Sequence, residues 1–358
     1  WLELFVRAPF AIFAPLPKEK IYVVEVDCDR PGEGKFLGSL LKPEVTLWLT
    51  SSRTHSMNFD EAVSPPAGGG QFNTIQKAVA YEFGNLLTYT SKLAIVNGDS
   101  RLIDGELYRT RAGVRKINKT GHLENYQITN EGQTHFRIDG REHSFDYLLP
   151  EDTFYSIGMA LELAGYLKVE PDYSFSEFTL PPGRSSVFKG IKNITILDSS
   201  YNANLDSIRV VLDMFGKMPT KAKPGEPAAQ GWVVLGDMIE QGKSEKEEHE
   251  KLAELLINYN FDRIILMGPR MSKYTYPKLE TLSSHFSPLG AQAIEKFMDP
   301  TEVLQYLQAS IQGGETILFK GARFLEGVVE HLLANKEDVK KLCRQEKVWK
   351  IRRKQWGL

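Results

Sequence analysis

The chain has 358 residues, with 44 Lys or Arg against 46 Asp or Glu and a formal net charge of -2, a balance that excludes the large basic excess of a general nucleic-acid binder. An apolar fraction of 42% with 25% charged residues is ordinary for a globular protein of about two domains. Two cysteines, Cys28 and Cys343, exclude a disulfide scaffold and fit a reducing cytoplasm.

No apolar run approaches the ~18–20 residues that a membrane span needs, so stable membrane insertion is not expected. The opening stretch 1–17 is apolar but holds Glu3, Arg7 and prolines, which fits neither a signal peptide nor a span. The chain opens at Trp1 without an initiator Met, so the expectation is a processed or trimmed product.

IYVVEV (21–26) reads as a buried strand, GKFLGSLL (34–41) as a short helix and VTLWLT (45–50) as a second buried strand. The Pro- and Gly-rich 61–71 reads as a loop. TIQKAVAYEFGNLL (74–87) has helical spacing, and LAIVNG (93–98) is another strand. Residues 105–149 alternate and carry turn residues, which predicts antiparallel hairpins. Residues 151–167 return to helix.

From about Pro181 a strand, a polar loop and a helix recur four times, with strands at NITILDSS (193–200), GWVVLGDM (231–238), RIILMG (263–268) and ETILFKG (315–321). Unbroken β-branched runs followed by amphipathic helices indicate a parallel sheet covered on both faces. Ligands bind such sheets at the carboxyl ends of the strands. The tail 336–358 holds nine Lys or Arg against three Asp or Glu, with Trp349 and Trp356. It is expected to be a solvated terminal helix; a contact to an acidic partner or lipid headgroups is the alternative.

Several strand ends carry chemistry. Arg184, in LPPGR at the join of the halves, presents a guanidinium suited to a phosphate, or is a hinge residue. Asp198 ends a buried strand and can accept two hydroxyl hydrogen bonds, as ribose recognition requires. In the same loop Asn204, Asp206 and Ser207 read better as a helix cap. Gly236 and Asp237 end the next strand. Lys320 and Arg323 open a helix, where two cations gather an anion; surface charge is the alternative. Lys320 follows the apolar strand residues Ile317, Leu318 and Phe319, which favours a pocket position. Glu25 sits inside an apolar strand and shares a face with Asp27. With His55 it makes a hard-metal pair, unless His55 is an ordinary loop residue.

Together these segments resemble the Mur ligase family. The blocks are E25-V-D-C-D-R-P-G-E33, H55-S-M-N-F59, P182-G-R184, D198-S-S-Y-N-A-N-L-D-S207, L235-G-D-M-I-E-Q-G242 and F319-K-G-A-R323, in family order from about residue 20 to 335. The resemblance implies an α/β protein with an incomplete central ATPase-like domain (1–184) that has a β-hairpin portion. A Rossmann-like parallel α/β carboxyl-terminal domain (185–335) and a basic tail (336–358) follow.

It further implies a cytoplasmic, monomeric, ATP- and Mg2+-dependent amide ligase of cell-wall precursor synthesis. Such an enzyme adds a dipeptide such as D-Ala-D-Ala to a UDP-MurNAc-peptide through an acyl phosphate. Lys320, Arg323 and Asp237 would then be catalytic. Arg184 would touch the ATP phosphates, Asp198 the ribose, and Asn202 would lie near the nucleotide. Glu25 and His55 would bind magnesium. The alternatives are a degenerate relative that binds ligand or partner without catalysis, and a ligase of the superfamily with another substrate.

The sequence departs from the family in places. No Gly-x-x-Gly-Lys-Thr phosphate loop occurs in these 358 residues, and GEGK at 32–35 has the wrong spacing. The fragment is therefore expected to be inactive by itself. Val79 stands where a carbamylated Lys is typical, with Lys77 on another face. Leu49-Thr50 replaces Thr-Asn before the His, and Leu205 replaces Pro. Glu151-Asp152 replaces the His-Asn pair that opens the last central helix, which should weaken adenine recognition.

Overall fold

The computed structural model describes residues 2–11, 21–53, 56–63, 72–218, 231–285, 293–321 and 324–358. After α1 (Leu2–Ala11), the amino-terminal region carries α2 (Glu33–Leu41), β1 (Val45–Trp48), α3 (Ile75–Tyr89), β2 (Leu93–Asn97), the short α4 (Arg101–Asp104) and β3 (Gly113–Ile117). The three strands form a parallel sheet in the order β1-β2-β3. The helices start where their caps dictate: the Thr74 side chain accepts from Lys77 N at the head of α3. Gly34, in α2, lies against α3, where a Cβ would meet the Glu82 carbonyl oxygen at 2.0 Å. Its N–H donates to the buried Glu82 carboxylate at 2.8 Å.

Two expectations fail in this region. Residues 21–26 form no strand, and Ile21 and Val23 are 61% and 83% exposed. A strand needs a ladder partner as well as apolar residues, and among the described residues β1 pairs with β2 alone. β3, read as part of a hairpin, instead joins the parallel sheet beside β2. Past α5 (Lys119–His122), the antiparallel hairpins appear as β4 (Leu123–Ile128), β5 (Thr134–Ile138) and β6 (Arg141–Phe145), followed by α6 (Thr153–Leu167). Most of the 61–71 loop, from 64 on, lies outside the described residues.

The second sheet has six strands in the order β11-β10-β9-β12-β8-β7. They are β7 (Ser186–Lys189), β8 (Thr195–Ser199), β9 (Trp232–Gly236), β10 (Arg263–Met267), β11 (Ala293–Phe297) and β12 (Thr316–Lys320). All pair in parallel except β7, an antiparallel edge. Period-two alternation splits the strand residues between two cores. Leu197, Val233, Leu235, Ile264, Leu266 and Leu318 pack under α7 (Leu205–Gly216), α8 (Glu245–Leu256) and α9 (Tyr276–His285). Ile196, Val234, Ile265, Ile317 and Phe319 pack under α10 (Pro300–Ser310) and α11 (Leu325–Leu332).

The fourfold repeat missed β11 and α10. β11 is a half-buried edge strand carrying Glu295 and Lys296, so it shows no unbroken apolar run. The tail also departs from expectation. It ends in α12 (Lys347–Gln355) but is not merely solvated: Leu342, Cys343 and Arg353 are buried, and Leu342 joins the core under α11.

Candidate functional site

β8 and β12 are register partners, with Asp198 opposite Phe319 and Ser199 opposite Lys320, so their carboxyl ends bring Asp198 and Lys320 to one place. Asp198 is fully buried. Its Oδ1 accepts from Ser200 N at 3.0 Å, and its Oδ2 is buried without a hydrogen-bond partner. Burial raises the Asp198 carboxyl above its usual range, against the pull of Ser200, Arg344 and Lys320.

Lys320 is 4% exposed, and its Nζ donates to the Asn202 carbonyl at 2.7 Å. Burial first, then the positive charge of Arg184, lowers its ammonium to about 7, while Asp198 opposes the shift. Above this buried pair lies an open rim. Arg184 is exposed and sits 4.4 Å from the centre of the Tyr201 ring, with exposed Asn202 beside it in the same turn. The strand ends thus supply a buried, labile ammonium beneath a guanidinium and an amide. That arrangement suits an anionic ligand.

Residues outside the motifs hold this turn. Arg344, from the tail, donates to the carbonyls of Ser200 and Tyr201 and to Asn202 Oδ1. The wholly buried Glu326 faces Arg344 at 3.4 Å and Arg353 at 3.9 Å. Spacing gives no warning of Arg344, because its partners are about 140 residues away; the only signal was the basic tail.

The remaining predicted residues are placed differently. Asn204 caps α7 in a reciprocal box with Ser207, which is the helix-cap reading. Asp237 does not join the cluster. Its carboxylate accepts from Met271 N at 2.9 Å and Arg270 N at 3.1 Å, so it caps the helical turn after β10. Glu25 is exposed on the unpaired stretch 21–27 rather than inside a strand. His55 and Arg323 lie outside the described residues. No group of three or more His, Cys, Asp or Glu placed to hold a metal occurs among the described residues. Val79 is buried and Lys77 exposed, so the lysine does face another way. Glu151 pairs with Lys119 at 3.0 Å and with Lys217, and Asp152 pairs with Lys119 at 2.6 Å.

The loop after β9 is an interdomain contact. Met57 N donates to the Glu240 carbonyl at 3.1 Å, and Lys243 N donates to Asp60 Oδ2 at 2.9 Å. Nearby, Arg53 and Glu248 form an ion pair of 2.8 Å with side chains only 7% and 5% exposed. The segment flanking His55 is therefore fastened to the second sheet's carboxyl edge.

This architecture has relatives. Residues 183–323 match the family described as Mur ligase, glutamate ligase domain, so the carboxyl-terminal region is a Mur ligase C-terminal domain. The likeness extends further towards the amino terminus. Over 348 residues the chain is 25% identical to the UDP-N-acetylmuramoyl-tripeptide--D-alanyl-D-alanine ligase of Escherichia coli K12, covering 92% of this chain and 69% of the relative. Over 347 residues it is 23% identical to the Bacillus subtilis ligase of the same name, covering 91% and 67%. The chain thus spans about two thirds of the length of these relatives.

Among solved structures, MurF ligase from Thermotoga maritima in complex with ADP superposes with a TM-score of 0.69 at 21% identity, covering 93% of this chain and 71% of that one. MurF from Acinetobacter baumannii gives 0.70 at 18%, covering 89% and 66%. The fold is therefore that of MurF across both sheets.

Proposed function

We propose that this chain is the central and carboxyl-terminal part of an ATP-dependent amide ligase that joins a dipeptide such as D-alanyl-D-alanine to a UDP-N-acetylmuramoyl-peptide through an acyl phosphate. On this reading the domains run over 1–184 and 185–335, with the tail 336–358 docked on the second. The protein is monomeric and cytoplasmic; among the described residues no helix is long and apolar enough to cross a membrane. The observation that carries the reading is the buried Lys320 ammonium at the end of β12, held to the Asn202 carbonyl beneath Arg184.

Arg184 and Asn202 form the rim that meets nucleotide phosphates. Lys320 supplies positive charge to the transferring phosphoryl group or the incoming carboxylate, and Arg323, three positions later in the sequence, adds a second cation. Asp198 is too deep to touch a ribose; it fixes Ser200 and balances Lys320 from below. Asp237 acts by shaping the loop after β10. Magnesium would neutralise phosphate oxygens; the described residues hold no group of three or more His, Cys, Asp or Glu placed to bind it.

The test is titration with Mg-ADP. Arg184→Ala should weaken binding about tenfold, the loss of one charge-assisted contact. Unchanged affinity in both Arg184→Ala and Asp198→Ala removes these assignments. One observation favours a second reading, a ligand-binding relative without catalysis: Glu151 and Asp152, where the family has His-Asn, are tied up with Lys119 and Lys217. Nucleotide binding without amide formation in the full-length product would select it.

A further inference from the structure

A cavity of about 560 Å³ opens at the carboxyl ends of β9 and β10, within the size range of small-molecule sites. Its floor is Gly268, Arg270 and Asp237, and Phe324 closes one side. The remaining wall comes from α12, through Trp349, Arg352 and Trp356. The docked tail therefore completes this cavity.

The charges around it are unequal. Asp237 is engaged by Arg270 and Met271. Arg270 is engaged by Asp237 at 3.3 Å and by Glu245. Arg352 is exposed and has no carboxylate partner among the described residues; its guanidinium lies 4.8 Å from the centre of the Trp349 ring. Stacking on an indole fixes the plane of the guanidinium fork and leaves its donors open to a planar anion. Trp356 and Phe324, 6.3 Å apart, provide an apolar surface beside it. One free fork next to aromatic walls suits a monoanion with a thin apolar body better than a multiply charged phosphate.

We infer that this cavity binds a small organic carboxylate, and that α12 supplies through Arg352 the cation that holds it. The cavity is one strand away from Lys320. The ends of β9 and β12 touch so closely that a Cβ on Gly321 would lie 2.4 Å from Gly236 N. If the ligase reading holds, on which this assignment of the ligand rests, the carboxylate is that of the incoming dipeptide. The tail beyond the matched domain then determines acceptor specificity.

The experiment titrates D-alanyl-D-alanine, its carboxamide, and N-acetylalanine into the protein by calorimetry, with tryptophan fluorescence reporting on Trp349 and Trp356. Mg-ADP is titrated separately. Arg352→Gln should weaken dipeptide binding about tenfold, Arg352→Lys should recover only part of it because an ammonium keeps the charge and loses the fork, and the carboxamide should bind the unaltered protein as weakly as the acid binds the variant. Mg-ADP affinity should not change. Equal binding of acid and carboxamide, or an unaltered dipeptide affinity in Arg352→Gln, overturns the inference and leaves the ligase reading standing. Arg352-dependent binding of N-acetylalanine without binding of the dipeptide supports the site and overturns the ligase reading. No carboxylate binding at all overturns the inference, whatever Mg-ADP does.

Discussion

Two of the places where the described residues bury charge use it differently. Between the domains, Arg53 and Glu248 meet directly at 2.8 Å, and Lys251 stands 3.2 Å from the same carboxylate. At the ends of β8 and β12, Lys320 donates to a backbone carbonyl, and one oxygen of Asp198 has no partner. The first arrangement neutralises itself and holds two domains together. The second holds its ammonium on a carbonyl with Asp198 only in electrostatic reach, an arrangement that an anion at the rim would make more favourable. Arg53 also leaves Nε and one terminal nitrogen without partners, so the difference between the sites lies in the direct ion pair and not in complete hydrogen bonding.

The sharpest way to break the contrast is Glu248→Ala. It strands the buried Arg53, and stability measured by denaturant unfolding should fall by about 3 kcal/mol. A loss under ~1 kcal/mol would mean that water already reaches the pair. Next is Gly321→Ala, which pushes a methyl onto Gly236 at a residue with φ of 153°. It should cost about 2 kcal/mol and disturb both strand ends together, seen as a lower melting temperature and weaker Mg-ADP binding.

Lys320 offers a subtler test. Its ammonium is lowered to about 7, so at pH 7.5 a large share is neutral. A bound anion favours the charged form, so Mg-ADP binding should take up a proton. Calorimetric enthalpy should then vary with the buffer's ionisation enthalpy, and Lys320→Met should abolish that variation.

The smallest effect belongs to His249, which is buried and held below its ordinary value chiefly by desolvation. Its Nε2 accepts from Met238 N at 3.3 Å in the loop after β9, so it is neutral in the folded protein. The unfolded chain binds a proton near the ordinary value of 6.5 and the folded one only below it. The stabilisation is complete above 6.5 and is lost as pH falls toward the folded value. His249→Gln should flatten that slope in melting curves taken between about pH 6.5 and 5.

Much of the site was legible because strand ends and caps are local. Lys320 after an apolar run and Asn204 three residues before Ser207 are patterns within a few positions, and the folded chain uses both. Asp237 had the same local signature as Asp198, yet it caps the turn after β10. Which role a strand-end carboxylate takes depends on the neighbouring strand, and neighbours in this sheet are not consecutive in the chain. Glu25 was misread for a related reason: hydrophobicity proposes a strand, but only a pairing edge makes one.

The sequence alone determined the alternating α/β order, the two-faced second sheet and the family of its carboxyl-terminal domain, since these follow from periodicities and blocks contained in short windows. Only the tertiary structure decided that Arg53 fastens the domains, that Arg344 holds the Ser200–Asn202 turn, and that the basic tail walls a cavity. The first joins residues 195 positions apart and the second residues 144 apart, and the third sets the tail against strand ends far earlier in the chain; contacts of that range are set by how the sheets and helices pack, which no local pattern encodes.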